Sequence, residues 1–125
     1  MNFISIRGFS KTRIAHSLLA FALLAPVAFA HTHPELMVPA ADATVSAPAN
    51  ITIHFNGALE PKFSTITVTD AAGHVVSKQH SMVGADAKTM TLPLPPLAPG
   101  VYTVNWVGVS VDSHRSRGAY KFTVK

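Results

Sequence analysis

The stretch that decides the fold reads Pro99-Gly100-Val101-Tyr102-Thr103-Val104-Asn105-Trp106. After the Pro-Gly turn, Tyr102, Val104 and Trp106 alternate with polar residues, which is the period of a β-strand with one buried face. Tyr102 stands at the head of this run, like the tyrosine corner of Greek-key sandwiches, where the phenol bonds back to nearby backbone. The stretch therefore predicts one strand of a β-sandwich.

The same alternation recurs in short runs along the rest of the chain, and residues 31–125 show no sustained helical period. Pro and Gly mark the breaks between the runs. The predicted strands are 51–56, 63–69, 75–78, 90–94, 102–106 and 120–124. Six or seven short strands with turn signals at this spacing predict an all-β protein, a sandwich with Greek-key connections.

The first thirty residues have the composition of a secretory signal peptide. Arg7, Lys11 and Arg13 form a positive n-region, and an apolar run from Leu18 to Ala25 follows. Ala28-Phe29-Ala30 supplies the small-x-small pattern of a cleavage site. The apolar run is shorter than the roughly 20 residues that span a bilayer. We therefore expect export and cleavage after the last of these alanines.

Removal of this leader changes the charge of the protein. The 125 residues carry a formal charge of +4, but three of the ten basic residues and none of the six acids lie in the leader. Residues 31–125, which we expect to form one soluble domain, therefore have a charge of +1. With no basic cluster beyond Arg115 and Arg117, nucleic acid is not an expected partner. The absence of cysteine excludes thiol catalysis, disulfides and thiolate metal sites.

Some of the histidines in residues 31–125 have ordinary structural interpretations. His54 falls on the polar face of its strand and His74 lies in a turn, so both are expected at the surface. His80 and Met82 lie near a predicted loop, whereas Met90 has the phase of a core residue. A loop rich in thioethers would bind Cu(I), which prefers sulfur ligands. With so few methionines, packing is the favoured role.

Four other residues form two short metal-binding motifs. Cleavage would make His31 the first residue, so that its amine and Nδ1 could close one chelate ring, and His33 would add an imidazole. Asp112 and His114 are also two residues apart, which in an extended chain places both side chains on one face. Nitrogen ligands with one carboxylate suit tetragonal Cu(II), and Zn(II) binds such sets less tightly. These motifs therefore predict a copper site.

With these motifs, the chain resembles the CopC/PcoC family of periplasmic copper-binding proteins. The resemblance covers nearly all of residues 31–125. It rests on the following runs: His31-Thr32-His33-Pro34-Glu35-Leu36, Pro39-Ala40-Ala41-Asp42, Ile51-Thr52-Ile53-His54-Phe55, Lys62-Phe63-Ser64, Pro99 to Trp106, Val109 to His114 and Gly118 to Val124. It implies a small Greek-key barrel or sandwich of cupredoxin-like or Ig-like appearance. It also implies a periplasmic protein that carries or buffers copper in homeostasis and resistance, and that is not an enzyme.

The resemblance further implies a ligand set. One Cu(II) ion per chain would be held by His31, Asp112 and His114, with His33 as the additional ligand found in some members. Other members bind Cu(I) on a methionine-rich loop, but residues 77–90 here hold too few methionines, so we expect that site to be absent or weak. An inner-membrane copper-transport protein is the partner that the family implies.

Two departures from the family pattern bear on the site. Arg115 stands where many members have proline after the D-x-H motif. The run Asn56-Gly57-Ala58-Leu59 stands where many members have an acidic residue before the leucine. The second departure could alter a contact that supports the metal ligands.

The residues leave three alternatives open. A free amine, two deprotonated amides and His33 could form a peptide copper site that ignores Asp112 and His114. An N-terminal histidine with a second histidine also resembles the copper brace of oxidative polysaccharide-cleaving enzymes. The third alternative is a structural Ig-like module in which the histidines are incidental.

Overall fold

A computed structural model describes residues 31–125, and the predicted signal peptide lies outside the described residues. Eight strands follow one another along this part of the chain: β1 (Pro34–Val38), β2 (Thr44–Val45), β3 (Asn50–Phe55), β4 (Thr65–Thr69), β5 (Met82–Val83), β6 (Thr89–Pro93), β7 (Gly100–Val109) and β8 (Arg115–Val124). Within the described part, no helix is long and apolar enough to cross a membrane.

The strands form two four-stranded sheets. One sheet has the order β1-β3-β6-β5, and the other has the order β2-β8-β7-β4. All strand pairs are antiparallel except β2 with β8. The chain passes between the sheets at five of its seven connections, so most neighbours within a sheet are not consecutive. This is the Greek-key sandwich that the sequence predicted.

The core lies between the sheets and is built from the alternating residues of the predicted strands. On β3, Ile51, Ile53 and Phe55 are fully buried, while the residues between them are partly exposed. β6, β7 and β8 contribute their own alternating sets in the same way: Met90, Leu92, Tyr102, Val104, Tyr120, Phe122 and Val124. Because side chains of a strand alternate between its faces, one period-2 pattern fixes the inner face of each strand.

The tyrosine corner at the head of β7 is confirmed. The hydroxyl of Tyr102 donates a hydrogen bond of 2.6 Å to the carbonyl oxygen of Ala98, four residues upstream. Its ring stacks on Phe122 of the neighbouring strand, with 5.7 Å between the ring centroids. The contact fixes the turn that leads into the long β7–β8 hairpin.

The structure corrects several strand boundaries. β4 begins at Thr65 and not at Phe63, because the amides of Phe63 and Ser64 turn back to the carbonyl of Glu60. Phe63 is 64% exposed. The predicted strand at 75–78 is reduced to a bridge between Val75 and β4, with one further backbone bond from the next residue.

Three strands were not predicted from the alternation. β1 and β2 carry no regular burial pattern, since β1 is an edge strand whose apolar side chains at Leu36 and Val38 are exposed. β5 occupies part of the predicted loop, where Met82 and Val83 pair with β6. Periodicity detects a strand only when one of its faces is buried.

Candidate metal centre

Both predicted metal-binding motifs lie at the same end of the sandwich. The residues before β1 run beside the segment that follows β3, since the amide of Asn56 donates to the carbonyl of His33 over 3.1 Å. The same residues also approach the start of β8, where the hydroxyl of Ser116 donates to the carbonyl of Thr32 over 2.6 Å. Asp112 lies in the turn of the β7–β8 hairpin, next to this point.

The D-x-H motif is a turn, so the extended conformation predicted for it is wrong. Ser113 has a φ of 72°, and its amide donates to the carbonyl of Ser110 over 2.9 Å. The two side chains nevertheless come together, because the turn reverses the chain between Asp112 and His114. His114 Nδ1 lies 3.1 Å from Asp112 Oδ2.

That separation fits two donor atoms on one metal ion. Two ligand atoms at neighbouring positions, each about 2.0–2.1 Å from an ion, lie about 2.9 Å apart. The rings of His31 and His114 are 6.1 Å apart between centroids and nearly perpendicular. Imidazoles that share one ion have centroids no more than about 6.4 Å apart, with metal–nitrogen bonds of about 2.0 Å. These two separations are compatible with a shared ion once the side chains rotate towards it.

Hydrogen bonds keep the Asp112 carboxylate in its ionised form. The hydroxyl of Ser110 donates to Oδ1, and the backbone amide of His114 approaches the same oxygen at 3.4 Å. These contacts, that of Ser110 first, lower the pKa of Asp112 below its ordinary value. Ser110 is buried and its hydroxyl also lies 3.1 Å from the carbonyl of His114. It therefore joins the two members of the motif.

His33 points its ring back along its own segment. Its Nδ1 lies 3.0 Å from the carbonyl oxygen of His31. A carbonyl oxygen can only accept, so Nδ1 carries the hydrogen, and Nε2 is the nitrogen with a lone pair for a metal. Across residues 31–125, no three His, Asp or Glu side chains are gathered closely enough to hold a metal ion. All four predicted ligands are exposed, so the side chains would close on an ion by rotation.

The structure adds three polar residues that the motifs did not include. Ser110 orients the D-x-H turn, and Asn56 and Ser116 hold the residues before β1. The sequence carried a weak signal for Asn56, which begins the segment that departs from the family pattern. Nothing in the sequence indicated Ser116, since it acts on a residue 84 positions away.

The remaining histidines and the methionines lie elsewhere. His54 is half-buried on the outer face of β3, where its Nδ1 lies 2.9 Å from the hydroxyl of Thr89. His74 is exposed in its turn, beside Asp70. Met90 is fully buried in the core as predicted, whereas Met82 is 64% exposed on β5.

Comparisons with known proteins give the family. The model of the CopC domain matches residues 35–125. Protein YobA of Escherichia coli K12 is 37% identical over 119 residues, which make up 90% of this chain and 94% of that protein. The chain therefore belongs to the CopC family.

Two solved structures share this fold. The crystal structure of CopC from Methylosinus trichosporium OB3b aligns with a TM-score of 0.71 and 34% identity, over 76% of this chain and 94% of that one. PcoC of Escherichia coli, a methionine-rich copper resistance protein, aligns with a TM-score of 0.65 and 40% identity, over 77% of this chain and 100% of its own. The whole PcoC chain therefore corresponds to about three quarters of this one.

Proposed function

We propose that residues 31–125 bind one Cu(II) ion and act as a carrier or buffer of copper in homeostasis and resistance. Membership of the CopC family supports a copper-handling role. The copper resistance protein PcoC, at 40% identity, supports the same conclusion. Family membership also weighs against a purely structural module with incidental histidines.

The observation that carries the proposal is the meeting of His31, Asp112 and His114 at one end of the sandwich. Asp112 and His114 present donor atoms 3.1 Å apart, and the ring of His31 stands opposite at 6.1 Å between centroids. His31 would give its amine and Nδ1, and His33 and His114 would each give one imidazole nitrogen. With the Asp112 carboxylate this makes a nitrogen and oxygen set, which suits Cu(II).

The same ligand set favours a carrier over an oxidising enzyme. Four protein groups on one ion, one of them a bidentate terminal histidine, leave little room for oxygen to bind and react. A site made of exposed side chains on a rigid sandwich can release its ion when a partner supplies competing ligands.

A Cu(I) site is absent or weak in this proposal. Met82 is exposed on the outer face of its sheet, while Met90 pairs with the next residue, Val83, and is fully buried. The two thioethers therefore face opposite sides of one sheet and cannot share an ion. Cu(I) sites need several soft sulfur ligands around one point.

The proposed location is the periplasm, reached through the predicted signal peptide. The proposed partner is an inner-membrane copper-transport protein, as the family resemblance implies. Exposed ligands at the end of the sandwich would let such a partner approach the ion without unfolding the domain.

The test uses protein that begins at His31, loaded with Cu(II) and studied by electron paramagnetic resonance and competition titration. His114→Ala should remove one nitrogen from the spectrum and weaken binding by at least tenfold, as loss of a direct ligand does. The matched control is His74→Ala, which removes an exposed imidazole far from the site and should change neither result.

A second version of the protein tests the amine. One residue added before His31 should also weaken Cu(II) binding, because the chelate ring from amine to Nδ1 can no longer form. The proposal fails if the protein shows no stoichiometric Cu(II) binding, or if both altered proteins bind as the unaltered one does.

A further inference from the structure

Two hydrogen bonds between His33 and Asn56 hold the segment His31–His33 against the sandwich. The amide of His33 donates to Oδ1 of Asn56 over 2.9 Å, and the amide of Asn56 donates to the carbonyl of His33 over 3.1 Å. Asn56 and His33 are thus joined by two reciprocal hydrogen bonds. The arrangement fixes the direction in which the His33 amide points.

The middle residue of the segment is held as firmly. Thr32 is buried, with its carbonyl oxygen accepting from Ser116 over 2.6 Å. A Cβ added at Gly57 would lie 3.2 Å from the Thr32 hydroxyl, so the glycine allows the close approach of the two segments. The residues before β1 are therefore part of the packed structure.

This conformation is incompatible with a metal site formed by the peptide itself. In such a site the amine, the amide nitrogens of Thr32 and His33, and Nδ1 of His33 bind one ion in a plane, and the two amide protons pass to water. Here the His33 amide faces Asn56, and Nδ1 is engaged with the carbonyl of His31 at 3.0 Å. Neither nitrogen can turn to an ion unless these bonds break.

We propose that Asn56 is a specificity-determining residue, which prevents residues 31–33 from wrapping a metal ion with their own amides. It thereby leaves the amine of His31 and the imidazole of His33 to the side-chain site. The inference rests on the proposed function only in assigning the freed ligands to a copper site. The hydrogen bonds themselves exist whatever the protein binds. Planar four-nitrogen coordination suits Ni(II) as well as Cu(II), so suppression of the peptide site would also discriminate against nickel.

The experiment adds Ni(II) to protein that begins at His31, at neutral pH, and follows the visible band and the loss of paramagnetism of planar four-nitrogen Ni(II). Asn56→Ala should form this species at about tenfold lower Ni(II) than the unaltered protein, as expected from the loss of the hydrogen bond that the His33 amide donates to Oδ1. Asn56→Asp keeps an acceptor for the His33 amide and should restore resistance. Asn50→Ala, at the start of β3, is the matched control.

Fluorescence of the single tryptophan checks that each variant is folded. Should Asn56→Ala unfold, Ser116→Ala tests the same constraint through the carbonyl of Thr32 and should also favour the planar species. The inference is overturned if the folded variants take up Ni(II) as the unaltered protein does.

These outcomes are independent of the proposed copper site. A failure of the copper site appears as unchanged Cu(II) binding in His114→Ala, a residue that the planar peptide site does not use. A failure of the inference appears only in the Asn56 and Ser116 variants with Ni(II).

Discussion

The hydroxyl of Ser110 offers a sharp test of how the fold prepares the proposed metal ligands. Ser110→Ala removes the donor that holds Oδ1 of Asp112 and lies beside the carbonyl of His114. The position is buried at the end of β7, so alanine fits without new contacts. The change leaves all four proposed ligands in the chain and alters only the orientation of one carboxylate.

The expected loss of Cu(II) affinity is about tenfold. Partners that orient metal ligands typically contribute between about 10-fold and 100-fold in affinity. The lower end applies here, because the Asp112 side chain is 66% exposed and water can replace the lost donor. The pKa of Asp112 should also rise towards its ordinary value, but at neutral pH the carboxylate stays ionised, so this shift does not offset the loss of orientation.

The assay is a competition titration of Cu(II) against a chromogenic chelator at pH 7. Ser113→Ala is the control, since it removes an exposed hydroxyl from the same turn and should leave the affinity unchanged. Ser110→Thr, which keeps the hydroxyl, should recover most of the loss. Binding by Ser110→Ala within a factor of two of the unaltered protein would refute the view that this hydroxyl prepares the site.

Three further predictions concern stability, measured by urea and thermal unfolding with tryptophan fluorescence. Tyr102→Phe should cost about 1 kcal/mol and about 4–8 °C in Tm, because its hydroxyl is hydrogen-bonded. Tyr120→Phe should be neutral or stabilising, because that hydroxyl is buried without a hydrogen-bond partner among the described residues; equal losses in both would contradict this. Hydrogen bonds from Thr89 and from the amide of Lys88 lower the pKa of Asp86 to about 2. The contribution of Asp86 to stability is therefore full above about pH 4 and is lost as the pH falls through 2. Asp86→Asn should flatten the decline of the urea midpoint over that range. An unchanged decline in the variant would contradict this assignment.

The sequence by itself determined the class of fold and the inner face of the main strands. Alternating apolar residues, as in Ile51, Ile53 and Phe55, specify a strand whatever lies around it, because only one face can be buried. The family was also visible in the sequence, since its motifs run along most of the domain. The edge strand β1 was missed, because its exposed apolar residues carry no such alternation.

Only the tertiary structure decided how the two predicted metal-binding motifs come together. The distance from His31 to His114 depends on the return of β8 past the residues before β1, a contact between positions far apart in the chain. The turn that joins Asp112 to His114 depends on a backbone conformation at Ser113 that spacing alone does not predict. Short-range patterns fix local structure, whereas hydrogen bonds across long loops, such as that of Asn56 with His33, exist only once the sandwich has closed.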